Sequence, residues 1–224
     1  MFVLLHSPLV GPLTWTLVAA EFQKQGIATI VPTLPPSAHL QPPYWQRHVE
    51  AIAATLTTLP ATTELILVGH SGAGVLLPAL RQIIQHKVIG YIFVDADIPR
   101  NGASRFDLFD VPETVAQFRD AAENGLLPVW RAEDLQEVIE DFTIRQRLVA
   151  ELQPLPLAVY EEPLPVFTGW PDAHCAYLAL SASYPSSEQY AQQADWAYAQ
   201  IIGGHFHMLV DPAAVAQAIF SLLL

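Results

Sequence analysis

The chain carries a single cysteine, Cys175, so no intrachain disulfide can form. Set beside Ala176, that cysteine reads as a small buried apolar residue rather than a catalytic thiol. Basic residues are scarce: 10 Lys and Arg stand against 22 Asp and Glu, for a formal net charge of −12. With no basic cluster anywhere, nucleic acid and anionic membrane are excluded as partners, and a small-molecule substrate is expected instead. Long hydrophobic runs are missing too. No stretch reaches about 18 uninterrupted apolar residues, and the opening "MFVLLHSPLV" has neither the length nor the basic flank of a signal peptide. These absences make a cytoplasmic protein without a membrane span the expectation. Charged residues of both signs make up only 14% against 52% apolar, which excludes disorder and gives 224 residues enough apolar side chains for one large core. Composition says nothing about oligomeric state.

What is present is an alternation of strands and helices. Phe2 to Leu5 reads as a strand, and Trp15 to Gln25 has helical periodicity and stops at Gly26. "IATIVPTL" (27–34) is β-branched and reads as a second strand, followed by a loop rich in proline and a helix over 44–58. "ELILVGH" (64–70) and "VIGYIFVDA" (88–96) are nearly continuous apolar runs, as expected for strands buried on both faces of a parallel sheet, with a helix over 74–85 between them. Residues 101–165 break the rhythm with helical segments near 112–123 and 132–152, and read as an insertion folded over the sheet. The strand pattern resumes at "CAYLALSA" (175–182). A helix near 186–198, a strand ending in "AQIIGG" and a terminal helix with Asp211 as N-cap and Pro212 at N1 complete the chain. Val215, Ile219, Phe220, Leu222 and Leu223 form that helix's inward stripe. The pattern is that of an α/β protein, in one domain over 1–224.

The stretch "LVGHSGAG" (67–74) places Ser71 between small residues at the end of a strand and the start of a helix. This is the layout of a nucleophile elbow, a sharp turn that tolerates only small neighbours and exposes the serine hydroxyl. Position 73 is Ala and the glycine comes at 74, so the strict G-x-S-x-G spacing is not met. Gly72, directly after the serine, would offer its N–H to an oxyanion. A plain strand-to-helix turn needing small residues is the alternative reading. Among eight histidines, those of "GGHFHMLVDP" (203–212) lie after the last strand, where a loop can lower an imidazole onto the turn. His205 is the candidate base and His207 its rival; no acidic or sulfur ligands gather around them, so neither a metal nor another cofactor is expected.

Taken together, "LVGHSGAG", "YIFVDADIPRNGAS" and "GGHFHMLVDP" resemble the α/β-hydrolase superfamily, nearest its plant methylesterase and hydroxynitrile lyase-like branch. The resemblance runs from residue 2 to 224 and is weakest over 101–170. It implies an α/β-hydrolase fold, a mainly parallel sheet flanked by helices, with 101–170 as a helical cap over the pocket. It further implies Ser71 as nucleophile and His205 as general base.

Two departures from that pattern stand out. The acid of the similar branch commonly falls at the position of Ser183, and a serine carries no charge to support an imidazolium. Hydrolases of this fold also place the acid at the end of the preceding strand, which makes Asp95 the first candidate and Asp97 the second, with Glu188 and Asp195 remote. Pro8 lies in the loop that normally supplies the second oxyanion donor and has no N–H; Leu9 or Val10 would have to replace it. His6 and Ser7 read as loop-shaping residues. Trp130, Trp170, Leu126 and Leu127, with Leu9 and Tyr91, are candidates for lining a pocket that takes an uncharged hydrophobic substrate, or else they simply pack the cap. The expected function is a serine hydrolase of the carboxylesterase kind, acting on a small, hydrophobic ester or thioester. The alternatives are a catalytically degenerate binding protein and a lyase acting on a cyanohydrin, against which no cation near the serine was evident.

Overall fold

Strand β3, Leu65–Ser71, is buried along its whole length because both its faces are covered. Leu65 and Leu67 point into one hydrophobic layer, Ile66 and Val68 into the other. The computed structural model, which describes residues 1–223, extends this arrangement into a six-stranded parallel sheet. The strands are β1 (Phe2–Leu5), β2 (Thr29–Ile30), β3, β4 (Val88–Ala96), β7 (His174–Ala179) and β8 (Ala197–Gln200), ordered β2-β1-β3-β4-β7-β8. Helices α1 (Leu13–Lys24) and α9 (Pro212–Ser221) cover one face, where Trp15, Val18, Val215 and Ile219 are fully buried. Helices α2 (Tyr44–Leu56), α3 (Leu77–Ile83) and α7 (Pro185–Gln193) cover the other. Leu224 lies outside the described residues.

Several expected boundaries move. The strand expected over 27–34 pairs only at Thr29–Ile30, because the prolines beyond it remove ladder donors. The helix expected over 74–85 begins as a 3-10 turn, Gly74–Leu76. The helix expected to reach 198 ends at Gln193, and the following strand pairs over Ala197–Gln200. In α9, capped by Asp211 through the Ala214 N–H at 2.9 Å, Phe220 is 37% exposed and Ala216 is buried, so the inward stripe includes alanine rather than the larger residue.

Residues between β4 and β7, strands that pair with each other, form a long excursion. It holds the 3-10 turn Phe106–Leu108, α4 (Pro112–Ala121), a two-stranded antiparallel ribbon of β5 (Leu126–Leu127) and β6 (Leu155–Pro156), a 3-10 turn at Ala132–Leu135, α5 (Phe142–Glu151) and α6 (Ala158–Glu161). Part of it has its own core around Phe106, Leu155 and Tyr160, whereas Ile139 and Leu148 join the layer of α1. Two carboxylates fasten it to the sheet layers by accepting orphan helix N–H groups: Glu151 from Leu13 at 2.8 Å, and Glu162 from Tyr44 and Trp45 at 2.7 Å each.

The serine turn is held by close approach. A Cβ on Gly74 would lie 2.5 Å from the Asp97 carbonyl oxygen, and backbone cannot move aside as a side chain can. Gly74→Ala is therefore expected to destabilise the protein by about 1–3 kcal/mol, read as a lower thermal midpoint; an unchanged midpoint would show that the β3–α3 turn has slack.

Candidate active site

Ser71 ends β3 with φ 54°, a left-handed conformation that non-glycine residues adopt at a cost. Asp95, at the end of β4, also has a positive φ, 45°. The ladder slips there: His70 pairs with Val94, but Ser71 pairs with Ala96, leaving Asp95 as the unpaired extra residue. A bulge of this kind re-aims a side chain. The Asp95 carboxylate consequently leaves the sheet ladder and accepts from the N–H groups of Leu180 and Ser181, at 3.0 and 2.9 Å, and from the Ser181 hydroxyl at 2.6 Å.

Its remaining lone pairs face His205, whose Nδ1 donates to Asp95 Oδ2 at 2.7 Å. Burial pushes the Asp95 carboxyl up, but the hydrogen bonds and charge it receives from His205, Ser181 and Leu180 outweigh that and hold it at about 2. His205 sits on the loop after β8, just before the short helix α8 (His207–Val210). Its carbonyl accepts from His70 Nε2 at 2.9 Å, and the two rings lie 4.4 Å apart. His207 is the residue that packs over Gly203, where a Cβ would lie 2.4 Å from its ring.

The Ser71 hydroxyl is hydrogen-bonded to the Tyr184 hydroxyl at 2.9 Å, and among the described residues no hydrogen bond joins it to His205. Burial pushes the Tyr184 phenol well above its ordinary value, so it stays protonated. Ser71, His205 and Tyr184 all line one cavity of about 660 Å³. Leu9, Phe109, Phe118, Leu127 and Trp130 give it apolar walls, and α4 closes one side.

In the β1 loop, His6 accepts from the Leu34 N–H through Nε2 at 3.3 Å and donates through Nδ1 to the Ser7 carbonyl at 2.9 Å. Val10 N–H is turned back onto that same carbonyl at 3.1 Å. Leu9 is anchored by its own carbonyl, which accepts from Gln153 at 3.1 Å, and its N–H has no acceptor among the described residues. Leu9 lines the cavity; Gly72 lies next to Ser71 with the Arg105 guanidinium over its α-carbon.

Other candidates go elsewhere. Trp170 does not line the cavity: it packs with Tyr91, Phe93 and Trp196 on the α3 and α7 side of the sheet, at centroid distances of 5.9, 6.2 and 6.4 Å. An aromatic late in the excursion looked like cap, but the chain has already returned to the sheet's far layer by residue 170. Tyr91 belongs to the same layer, its hydroxyl donating to Asp172 at 2.5 Å. Asp97 pairs with Arg105 at 3.4 Å, and Glu188 accepts from Tyr198 at 2.5 Å. The Ser183 hydroxyl lies 2.9 Å from the Ser181 hydroxyl and donates to it, since the Ser181 proton goes to Asp95. Cys175 is buried, and burial pushes its thiol up to about 12. His70, Ser181, Tyr184 and Arg105 were missed from sequence. A histidine or an arginine has no periodic signal, and His70, Ser181 and Tyr184 gain their roles from partners more than 80 residues away, while Arg105 pairs with Asp97 but comes to rest on Gly72.

Buried histidines are expected to make the fold acid-sensitive. Burial lowers His70 to about 3 and His48 to about 4, so below pH 6.5 the unfolded chain binds protons that the folded one refuses. Asp97 acts oppositely, since burial raises it to about 6 against the pull of Arg105, but one carboxyl offsets only one imidazole. The thermal midpoint is expected to fall steadily from pH 7 to pH 4, and a flat profile would contradict the neutral-imidazole account.

A parallel sheet with a left-handed serine at a central strand end, and a histidine in the same cavity backed by a buried aspartate, defines an α/β protein of hydrolase architecture. The chain belongs to the alpha/beta hydrolase family, whose model matches residues 2–218. Among curated proteins none matches it by sequence. Solved structures with a similar fold include an extracellular α/β-hydrolase from a Paenibacillus species, described as sharing structural and functional homology with tobacco salicylic acid binding protein 2 (TM-score 0.77, 19% identity, 99% of this chain and 98% of that one). A pyrethroid hydrolase from Sphingobium faniae follows, with TM-score 0.73 and 19% identity over 98% and 95% of the two chains. Tomato methylketone synthase I, complexed with 2-tridecanone, has TM-score 0.71 and 15% identity over 99% and 96%. Among the described residues, no helix is long and apolar enough to cross a membrane.

Proposed function

We propose that this protein is a serine hydrolase that cleaves a small, hydrophobic ester or thioester through an acyl-enzyme on Ser71. The observation that carries the reading is that His205, bonded to the buried Asp95 at 2.7 Å, lines the same cavity as the strained Ser71. His205 removes the Ser71 proton as Oγ adds to the substrate carbonyl carbon. The Gly72 and Leu9 N–H groups receive the oxyanion, and the imidazolium returns the proton to the leaving alkoxide or thiolate. Water then repeats the two steps and releases the acid. Asp95, kept ionised, holds Nδ1–H in place so that Nε2 is free to act as base. The Oγ–Nε2 contact forms when substrate displaces the Tyr184 hydroxyl, since catalytic hydrogen bonds often tighten only in the complex. Residues 101–170 act as the cap, and their apolar side chains are the support for a hydrophobic acyl or alcohol group.

Two observations favour other readings. The Ser71–Tyr184 bond favours a binding protein without turnover. Arg105 supplies the cation beside the serine turn that the sequence did not disclose, which favours a lyase acting on cyanohydrins. A fluorophosphonate probe and a panel of p-nitrophenyl esters and thioesters separate them. Labelling confined to Ser71, together with ester turnover, is expected. No labelling of the folded protein sinks the acyl-enzyme reading, and labelling without turnover points to a binding role.

A further inference from the structure

One charged pair at the serine end of the cavity takes no part in the mechanism above. The Arg105 side chain is 6% exposed, and its guanidinium lies 4.2 Å from the centroid of the Tyr160 ring. Its one ionic contact among the described residues is with Asp97, at 3.4 Å. Nε and Nη1 are closed off and find no acceptor among the described residues. Burying a guanidinium is strongly unfavourable unless its donors are paired, and a long ion pair with Asp97 plus contact with Tyr160 leaves Nε and Nη1 without acceptors among the described residues.

That position is informative. A Cβ on Gly72 would lie 2.6 Å from Nη1, 2.8 Å from Cζ and 3.1 Å from Nη2, so the flat face of the guanidinium rests on the residue that follows Ser71. A side chain at position 72 would displace the cation from this place. Opposite, the β1 loop is short of donors: Pro8 has no N–H, and the Val10 N–H is spent on the Ser7 carbonyl.

We propose that Arg105 is a positioning residue of the oxyanion site, its charge packed behind Gly72 to stabilise the negative oxygen formed when Ser71 Oγ adds to a carbonyl. The proposal rests on the hydrolase reading. A fixed charge a few ångströms from a developing oxyanion, in a site shielded from water, acts through its field without touching the substrate. Asp97 sets the strength of that field by cancelling part of the charge. Arg105 lines the cavity, but Nε and Nη1 are closed off and Nη2 is bonded to Asp97, so the guanidinium has no free donor with which to grip an acidic part of the substrate.

Phenylboronic acid tests this. Addition of Ser71 Oγ to boron, with the proton passing to His205, gives a tetrahedral boronate that carries the negative charge of the oxyanion state. Arg105→Met is expected to weaken boronate inhibition about tenfold or more while KM for a neutral p-nitrophenyl ester changes less than about threefold. Arg105→Lys is expected to recover most of the loss, and Asp97→Asn to tighten inhibition. A purely structural arginine would move KM, boronate inhibition and thermal midpoint in step, and would not be rescued by lysine. Boronate binding unchanged in Arg105→Met overturns the proposal, as does a loss confined to esters bearing a carboxylate. Should Arg105→Met not fold, Asp97→Asn decides: tighter boronate binding supports the proposal, and equal or weaker binding overturns it. Wild-type protein that neither binds boronate nor reacts with fluorophosphonate overturns the hydrolase reading itself, and the proposal with it. Wild type that does both, with variants that match it, overturns the role of Arg105 alone.

Discussion

Ser71→Ala is expected to lower ester hydrolysis by about 10⁴-fold or more and to abolish fluorophosphonate labelling, leaving the fold intact. The size of the effect follows from the covalent step. Without Oγ no acyl-enzyme forms, and what remains is the weak rate of water attack assisted by the N–H groups of Gly72 and Leu9. The fold should survive, because among the described residues the hydroxyl makes only one hydrogen bond, to Tyr184, whose own hydroxyl can turn to the cavity. Replacing serine by alanine leaves the strain at φ 54° unchanged, so the thermal midpoint is expected to move little. Alanine protein that retains more than about a hundredth of wild-type turnover would show that another group carries the chemistry.

Asp95→Asn is expected to cut kcat by about 10⁴-fold while KM holds, by inverting the proton pattern of the site. The Asn oxygen can still accept from Leu180 and Ser181 N–H, which turns its NH₂ toward Ser181 Oγ and His205 Nδ1. A donor there forces Nδ1 to accept, which places the imidazole proton on Nε2 and leaves no base for Ser71. Stability should fall as well. The carboxyl is held at about 2 in the folded state, so its contribution is complete above about pH 4 and is lost as pH falls toward 2. The wild-type carboxylate therefore stabilises the fold at neutral pH, and the variant is expected to show a lower midpoint at pH 7 but little difference near pH 2. Turnover near the wild-type rate in Asp95→Asn would remove the acid from the mechanism.

The elements most legible in the sequence were those fixed by local chemistry. β3 and β4 show continuous apolar runs because both their faces are covered, and "HSGAG" needs small residues because backbone crowds Gly74. Asp211 and Pro212 start α9 for reasons contained in one turn of chain. Boundaries failed where pairing partners decide them, as with β2, whose β-branched run extends well past the two residues that find a neighbour in β1. Trp170 was misread because an aromatic residue has the same local signature in a cap as in a sheet layer.

The sequence by itself determined a parallel α/β sheet, the strained serine turn and the loop that carries His205, since apolar periodicity and steric smallness are properties of neighbouring residues. Only the tertiary structure decided what surrounds that serine. The one-residue slip between β3 and β4 swings Asp95 out of the ladder toward His205, and the loop from β7 into α7 delivers Tyr184 to the hydroxyl. The excursion folds Arg105 into the space that Gly72 leaves open. Each is a contact between segments far apart in the chain, and pairing register and packing set such contacts, not local spacing.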